Sequence, residues 1–388
     1  MDATWESRAQ RLLGDMSRSG VELDRRLQDA YWSTPRHEFI DQIYVQDDSR
    51  RWIPVDRPED CSADEHWLDT IYQDKPYVVS VNASGYPTSS NSVPSLVYRL
   101  LGLLNLRPGN TVLEIGTGTG YLTELLRKLV GPDGAVDSIE VDSLLARTAE
   151  ARLKARSTAT PVRVIHDDAA AFTPKPRSYD LVVSTARSRL VPRPWLDSLK
   201  STGKVCVELG AGIGSAQLLA QVSSGTRAMV SGRFLDFRSN FMPLRSSDEE
   251  RAGLVLPPGF ATSPIKTIPA GGLGLKQIIG TNFGWYCQLE LPTARVSLGV
   301  RMEGRGSLGP FLMDDDAYDS VLLPKDGSVT DAQLQAYGGS AYLIDRLTAA
   351  WEGWQSLGCP APGKFSFDVQ DDYRQRVTLA PAAKSWYL

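Results

Sequence analysis

The run Val112-Leu113-Glu114-Ile115-Gly116-Thr117-Gly118-Thr119-Gly120 joins an apolar stretch, an acid and three glycines at alternate positions. This spacing predicts a buried strand ending in a glycine-rich turn that opens a helix. Glycines let the backbone bend sharply and approach a ligand, and the helix start offers free N–H groups to an anion. A dinucleotide site uses GxGxxG, with its third glycine one position later, and has no acid at the strand end. Glu114 stands two residues before Gly116, where a carboxylate repels a pyrophosphate but can receive an ammonium group. The pattern therefore favours S-adenosylmethionine over NAD.

Two further strand ends complete the predicted cofactor set. Glu140, in Ser138-Ile139-Glu140, can accept both ribose hydroxyls. Asp167 or Asp168, after Ile165-His166, can accept the exocyclic amino group of adenine, and either could instead cap a following helix. The expected cofactor-binding residues are Glu114, Gly116, Thr117, Gly118, Gly120, Glu140, Asp167 and Asp168.

Other chemistries are disfavoured. His37, His66 and His166 lie far from Cys61, Cys206, Cys287 and Cys359, and no CxxC pair occurs, so neither a metal site nor a disulfide framework is expected. The 388 residues are 42% hydrophobic and 23% charged, as in ordinary globular chains. A net charge of −4, from 42 Lys and Arg against 46 Asp and Glu, gives no footprint for nucleic acid. The start, MDATWESRAQ, lacks the basic and apolar segments of a secretory signal, and no run reaches the roughly 18 apolar residues of a membrane span. The expectation is a cytoplasmic protein without a membrane partner.

The elements that must position these residues follow from periodicity. Helical spacing over 5–33 breaks at Ser19-Gly20, and Pro54, Pro58, Pro76, Gly85 and Pro87 mark 50–92 as a long loop. From Ser95 a helix precedes the strand 111–115 and the helix 121–130; apolar runs at 135–140, 162–166, 180–185 and 204–209 then alternate with helices near 143–155 and 194–200. Such alternation means an α/β fold with a largely parallel sheet. Beyond 215 the texture changes to short runs at 228–237, 275–280, 284–291 and 295–302, then a helical stretch over 331–357, which includes Trp351 and Trp354 and reads as helix core. The expected domains are 1–92 (N-terminal helices and active-site loop), 93–215 (cofactor binding) and 216–388 (α+β), with the polar segment 245–252 as a solvated loop or helix start.

Thr34-Pro35-Arg36-His37-Glu38-Phe39-Ile40, Asp74-Lys75-Pro76, Ser92-Val93-Pro94, the glycine motif through Tyr121 and Tyr179-Asp180-Leu181-Val182-Val183-Ser184-Thr185-Ala186 together resemble the protein L-isoaspartate O-methyltransferase family over about residues 8–215. The resemblance implies a class I methyltransferase with a Rossmann-like central sheet, N-terminal helices and a C-terminal α+β domain. It implies Ser92 as the active-site serine of S-x-P; Ser90 and Asn91 beside it, and Thr185 at the end of a predicted strand, are candidate substrate contacts. His37 reads as a structural histidine. The chain departs from the repair enzymes in two ways: Asp74–Ser92 is longer and lacks an isoleucine-glycine pair near Val79-Ser80, and the chain continues well past Gly210, through Gly232-Arg233-Phe234 and Phe241-Met242-Pro243-Leu244, to Trp386-Tyr387-Leu388. That long form is similar to methyltransferases associated with ribosomally made, post-translationally modified peptides, lanthipeptides and graspetides.

The chemistry implied by that resemblance is esterification of an aspartate carboxylate in a macrocyclic ribosomal peptide; the ester collapses to an aspartimide, which hydrolyses in part to isoaspartate. A carboxylate is ionised at neutral pH, so its methylation needs positioning and desolvation more than a base. Repair of isoaspartyl proteins is the nearest alternative, a non-catalytic cofactor-binding scaffold is a second, and an NAD-dependent dehydrogenase is remote.

Overall fold

The computed structural model describes residues 4–60, 62, 64–156, 159–223, 228–246, 263–298, 300–302, 306–314 and 319–388. They fall into two compact units: 1–186, 194–206 and 244–251 in one, and 187–193, 207–243 and 252–388 in the other. The chain passes from the first to the second within the strand Leu199–Gly210.

In the first unit, helices Trp5–Arg18 and Arg25–Trp32 are separate, as the Ser19-Gly20 break predicts, and the Asp24 carboxylate caps the second by accepting from Leu27 N–H. The single-turn segment Arg36–Phe39 follows. The parallel sheet runs in the order Leu199–Gly210, Tyr179–Ser184, Thr111–Ile115, Ala135–Glu140, Val162–His166. Val112, Leu113, Val136, Ile139, Leu181 and Val182 are buried in it, the near-continuous apolar pattern of strands covered on both faces. Helices Tyr121–Val130 and Ser143–Ala155 cover it, the latter capped by Asp142. Because the strands are parallel, the C-terminal ends at Ile115, Glu140 and His166 lie along one edge, where Gly116 N–H and Thr117 N–H donate to Ile139 O and Asp167 N–H donates to Glu140 O.

The stretch 50–92 is not a loop. It holds the helix Glu65–Ile71 and contributes three strands to an antiparallel sheet ordered Trp52–Asp56, Gln42–Gln46, Tyr77–Val81, Pro87–Asn91. Pro54 sits on the edge strand and Pro87 starts its strand, positions where proline interrupts no ladder. Gly85 occupies the hairpin turn at φ +79°. The residues after Asp168 form a turn, not a helix, and the predicted helix near 194–200 is the shorter Arg193–Asp197, with Leu199 already in a strand.

In the second unit, antiparallel strands pair in the order Lys384–Tyr387, Gln375–Leu379, Phe365–Gln370, Ala228–Phe234, Ser215–Val222. A second antiparallel sheet is ordered Lys266–Pro269, Gln333–Tyr337, Asp319–Leu322, Phe311–Asp314, Ala294–Ser297. Phe234, Trp285 and Phe367 build an aromatic core, with Phe234 and Trp285 ring centroids 4.7 Å apart. The runs 275–280 and 284–291 are helices, Leu275–Gly280 and Phe283–Glu290. The expected helix over 331–357 is a strand, Gln333–Tyr337, followed by the helix Tyr342–Ser356, in which Trp354 is buried. Of the polar segment 245–252, residues 247–252 lie outside the described residues. No helix among the described residues is long and apolar enough to cross a membrane.

Candidate active site

Gly116, Gly118 and Gly120 hold φ of +93°, +53° and +82°, backbone that side-chain-bearing residues rarely adopt. Space is also closed: a Cβ at 116 would lie 3.0 Å from Thr185 Oγ1, and one at 120 would lie 3.3 Å from Ala149 Cβ. The turn is thus a cradle that only glycine fills.

Beneath it, Glu114 is completely buried. Its Oε2 accepts from Thr123 Oγ1 at 2.6 Å and Ser138 Oγ at 2.7 Å, while Oε1 has no hydrogen-bond partner among the described residues. Burial pushes this carboxyl up to about 7, against the lowering effect of the two hydroxyls. Thr117, expected at the cofactor, turns its hydroxyl inward to Ser138 Oγ at 2.6 Å. Glu140 is buried, its Oε2 accepting from Gly118 N–H at 2.8 Å and its Oε1 from Asp142 N–H at 3.0 Å, and burial raises its pKa. Asp168 spends Oδ1 on Ala170 N–H, whereas Asp167 is exposed at the strand end and accepts from Asp168 N–H. Of the two, Asp168 is the turn-forming residue.

S-adenosylmethionine fits these residues: an unmet buried carboxylate oxygen, a turn of three positive-φ glycines that lets a ligand approach the backbone, and a second carboxylate at the next strand end are its complement. Glu114, Gly116, Gly118, Glu140 and Asp167 or Asp168 would hold it.

The strand Pro87–Asn91 lies against this turn. Ser89 Oγ is 3.7 Å from where a Cβ on residue 118 would stand, and two residues on, Asn91 Nδ2 donates to Thr119 Oγ1 at 3.0 Å. Asn91, expected as a substrate contact, is corrected by its surroundings: it is 6% exposed, and its Oδ1 accepts from Arg36 Nε at 2.9 Å and Nη2 at 2.7 Å, so both ends of its amide are spent internally. Ser90 pairs across the hairpin with Val78 and is half-buried. Ser92 is half-buried at the strand's exit, its carbonyl accepting from Arg36 Nη2 at 3.2 Å. Thr185 lies beside Gly116, and its Oγ1 reaches Gly116 O at 3.3 Å and Ile115 O at 3.4 Å.

Arg36 is the residue whose part sequence reasoning missed. It is 1% exposed and donates also to Ile71 O, Gln73 O and Lys75 O. Nothing local marks it, because Arg36 stands among the polar residues Thr34, His37 and Glu38 and its partners are 35 to 56 positions away. Asp74 Oδ1 accepts from Ser95 N–H at 2.8 Å and so caps the helix Pro94–Leu104 that follows Ser92. Thr119 and Arg152 carry no local signal either; Arg152 Nη1 donates to Thr119 O at 2.6 Å and its Nη2 pairs with Asp41. His37 is buried with Nδ1 2.8 Å from Tyr72 Oη, in a structural position.

A family model described as Protein-L-isoaspartate(D-aspartate) O-methyltransferase matches residues 54–248, half of the chain. A protein-L-isoaspartate O-methyltransferase 2 of Archaeoglobus fulgidus is 28% identical over 232 residues, covering 59% of this chain and 92% of that protein. One of Nitrosococcus oceani is 30% identical over 190 residues, covering 49% and 72%. A solved chain described as protein-L-isoaspartate O-methyltransferase shares the fold at TM-score 0.52 and 19% identity, over 96% of this chain and 99% of its own. The expectation that such enzymes stop soon after Gly210 therefore fails for that protein, whose fold runs alongside nearly all of this one. By the family match and these relatives, the chain belongs to the protein-L-isoaspartate(D-aspartate) O-methyltransferase family and is an S-adenosylmethionine-dependent carboxyl O-methyltransferase.

Proposed function

We propose that the acceptor is the side-chain carboxylate of an aspartate in a cyclised ribosomal peptide of the lanthipeptide or graspetide kind. The observation that carries this reading is the placement of Ser92: half-buried, its backbone carbonyl pinned by Arg36, its hydroxyl spent on no described residue, at the end of a strand that abuts the glycine turn. Its hydroxyl donates to the acceptor carboxylate and holds one oxygen while the other faces the methyl group. S-adenosylmethionine, when bound, supplies that methyl group in activated form. Pro94 restricts Val93 to extended backbone, which fixes the approach to Ser92. No base is needed, because the acceptor arrives ionised.

The ester that forms carries a far better leaving group than a carboxylate does. The backbone nitrogen of the next residue attacks the ester carbonyl, a C–N bond forms, and methoxide departs with the amide proton as methanol. A macrocycle that holds this nitrogen near the carbonyl accelerates closure. The altered acceptor segment supports a non-standard peptide: where the repair enzymes carry a shorter stretch with isoleucine-glycine, this chain has the hairpin Tyr77–Val81 and Pro87–Asn91. We assign recognition of the modified peptide to the C-terminal domain.

The relatives favour a second reading, repair of isoaspartyl residues in damaged proteins, since those of Archaeoglobus fulgidus and Nitrosococcus oceani are so described. Labelled methyl transfer to a cyclised aspartate-containing precursor and to a linear isoaspartyl peptide, each with Ser92→Ala as control, separates the two. Methylation of the cyclic peptide followed by loss of methanol, seen by mass spectrometry, is expected. Methylation of the linear peptide alone would make this a repair enzyme.

A further inference from the structure

We propose that Asn91 is a positioning residue that ties the acceptor strand to the cofactor turn, so that filling the turn orders the strand leading to Ser92. The orientation of its amide is decided by its neighbours. Arg36 carries only donors, so the atom it meets at 2.9 and 2.7 Å is the oxygen, and the amide NH2 is left facing Thr119 Oγ1 at 3.0 Å.

Each end of this link is itself held. Arg36 is anchored on Ile71 O and Gln73 O at 2.7 and 3.0 Å, and it grips Ser92 O as well as Asn91. Thr119, one residue after Gly118, has its carbonyl held by Arg152, which pairs with Asp41 only five positions beyond Arg36. The segment 36–41 thus reaches Thr119 by two routes, through Arg36 and Asn91 to its hydroxyl and through Asp41 and Arg152 to its carbonyl. All of these groups belong to the first unit.

Beyond its ladder to Tyr77–Val81 and the bond from Thr88 Oγ1 to Ser80 Oγ at 2.9 Å, the strand has little apolar packing to fix it. Its Thr88, Ser89 and Ser90 bring no large apolar side chain, and its ladder to Tyr77–Val81 is irregular between Val78 and Ser80 and between Ser80 and Val81. A strand so weakly packed takes its position from its polar ties. Coupling of this kind is reciprocal: a turn that orders the strand when filled is filled more readily when the strand is tied.

The inference rests on the reading of Ser92 as the acceptor site, but its test needs no acceptor and so fails or succeeds apart from that reading. The full-length protein is titrated with S-adenosylhomocysteine by calorimetry, and hydrogen exchange of residues 88–93 is followed with and without it. In the parent protein the ligand slows exchange there. Thr119→Val, which removes only the hydroxyl and leaves the Arg36–Asn91 pair intact, is expected to abolish that slowing and weaken binding by about three- to tenfold, while Thr119→Ser restores both. Asn91→Ala is the harsher change, and the double variant Asn91→Ala/Thr119→Val should bind no worse than Asn91→Ala alone. Slowing that survives in Thr119→Val, or additive losses in the double variant, would overturn the proposal, as would a lowered melting temperature with unchanged exchange.

Discussion

In the second unit the buried amide of Gln375 closes on one residue, Oε1 accepting from Val191 N–H at 2.9 Å and Nε2 donating to Val191 O at 2.6 Å. Gln288 does the same for a loop, accepting from Ala211 and Ile213 N–H and donating to Leu291 and Pro292 O. In the first unit, Glu114 is as deeply buried, yet one of its oxygens meets nothing among the described residues, and Asn91 and Arg36 link the glycine turn to the strand Pro87–Asn91. Buried polar groups that complete their own hydrogen bonds hold a chain in place. Glu124 and Asp368 also bury carboxylate oxygens without a hydrogen bond, but each meets an arginine; Glu114 has no ion-pair partner among the described residues, and a buried carboxylate so placed is costly unless a ligand completes it.

The largest effect expected from this contrast is on Arg36. Arg36→Met leaves Asn91 Oδ1 and the four backbone carbonyls of Ile71, Gln73, Lys75 and Ser92 without their donor at once, and should cost about 3–5 kcal/mol in urea unfolding, since each buried acceptor left unpaired costs about 1–3 kcal/mol. A cost under about 1 kcal/mol, typical of exposed pairs, would remove Arg36 from the centre of the first unit.

Next is the pH dependence of Glu114. Its carboxyl titrates near 7 in the folded chain against an ordinary value of 4.5. Below 4.5 both states hold the proton; between 4.5 and 7 the unfolded chain has released it and the folded one has not, so stability falls as pH rises through that window and is level above it. The fall amounts to about 3 kcal/mol at 1.36 kcal/mol per unit. Glu114→Gln is neutral in both states and should lose that part of the slope. Urea midpoints across the window check it, and a variant with the parent's slope would show that the unmet oxygen is hydrated.

Much of the first unit was legible because its strands are buried on both faces and punctuated by glycine. Thr111–Ile115, Tyr121–Val130, Ala135–Glu140, Ser143–Ala155 and Val162–His166 all stand at the predicted bounds. Pro87–Asn91 was not legible as a strand, since Thr-Ser-Ser-Asn shows no apolar alternation and is held by side-chain ties such as Thr88 Oγ1 to Ser80 Oγ and Asn91 to Thr119. Those partners are distant in sequence, so no local pattern could reveal them. In the second unit, buried Leu334 and Ala336 between Gln333, Gln335 and Tyr337 have the period of a strand, but the strongly helical Tyr342–Ser356 just beyond masked it.

Gln375→Leu sharpens the comparison from the other side. It leaves the N–H and C=O of Val191 without their partner and should cost about 2 kcal/mol, while S-adenosylhomocysteine affinity stays at the parent value. Weaker binding that tracks the loss of stability would blur the distinction between the two units.

The smallest effect belongs to Thr185, and it is the most discriminating. Its contacts to Gly116 O and Ile115 O, at 3.3 and 3.4 Å, are at the long end of hydrogen bonding, so their loss in Thr185→Val should cost no more than about 0.5 kcal/mol. Valine has nearly the shape of threonine, so the 3.0 Å space beside Gly116 stays filled and the turn keeps its form. If Thr185 only packs against the glycine turn, kcat and KM both stay within twofold of the parent. If its hydroxyl instead meets the acceptor carboxylate, KM for the peptide rises severalfold while S-adenosylhomocysteine affinity and the urea midpoint do not move, and the acceptor pocket extends from Ser92 to the end of the strand Tyr179–Ser184.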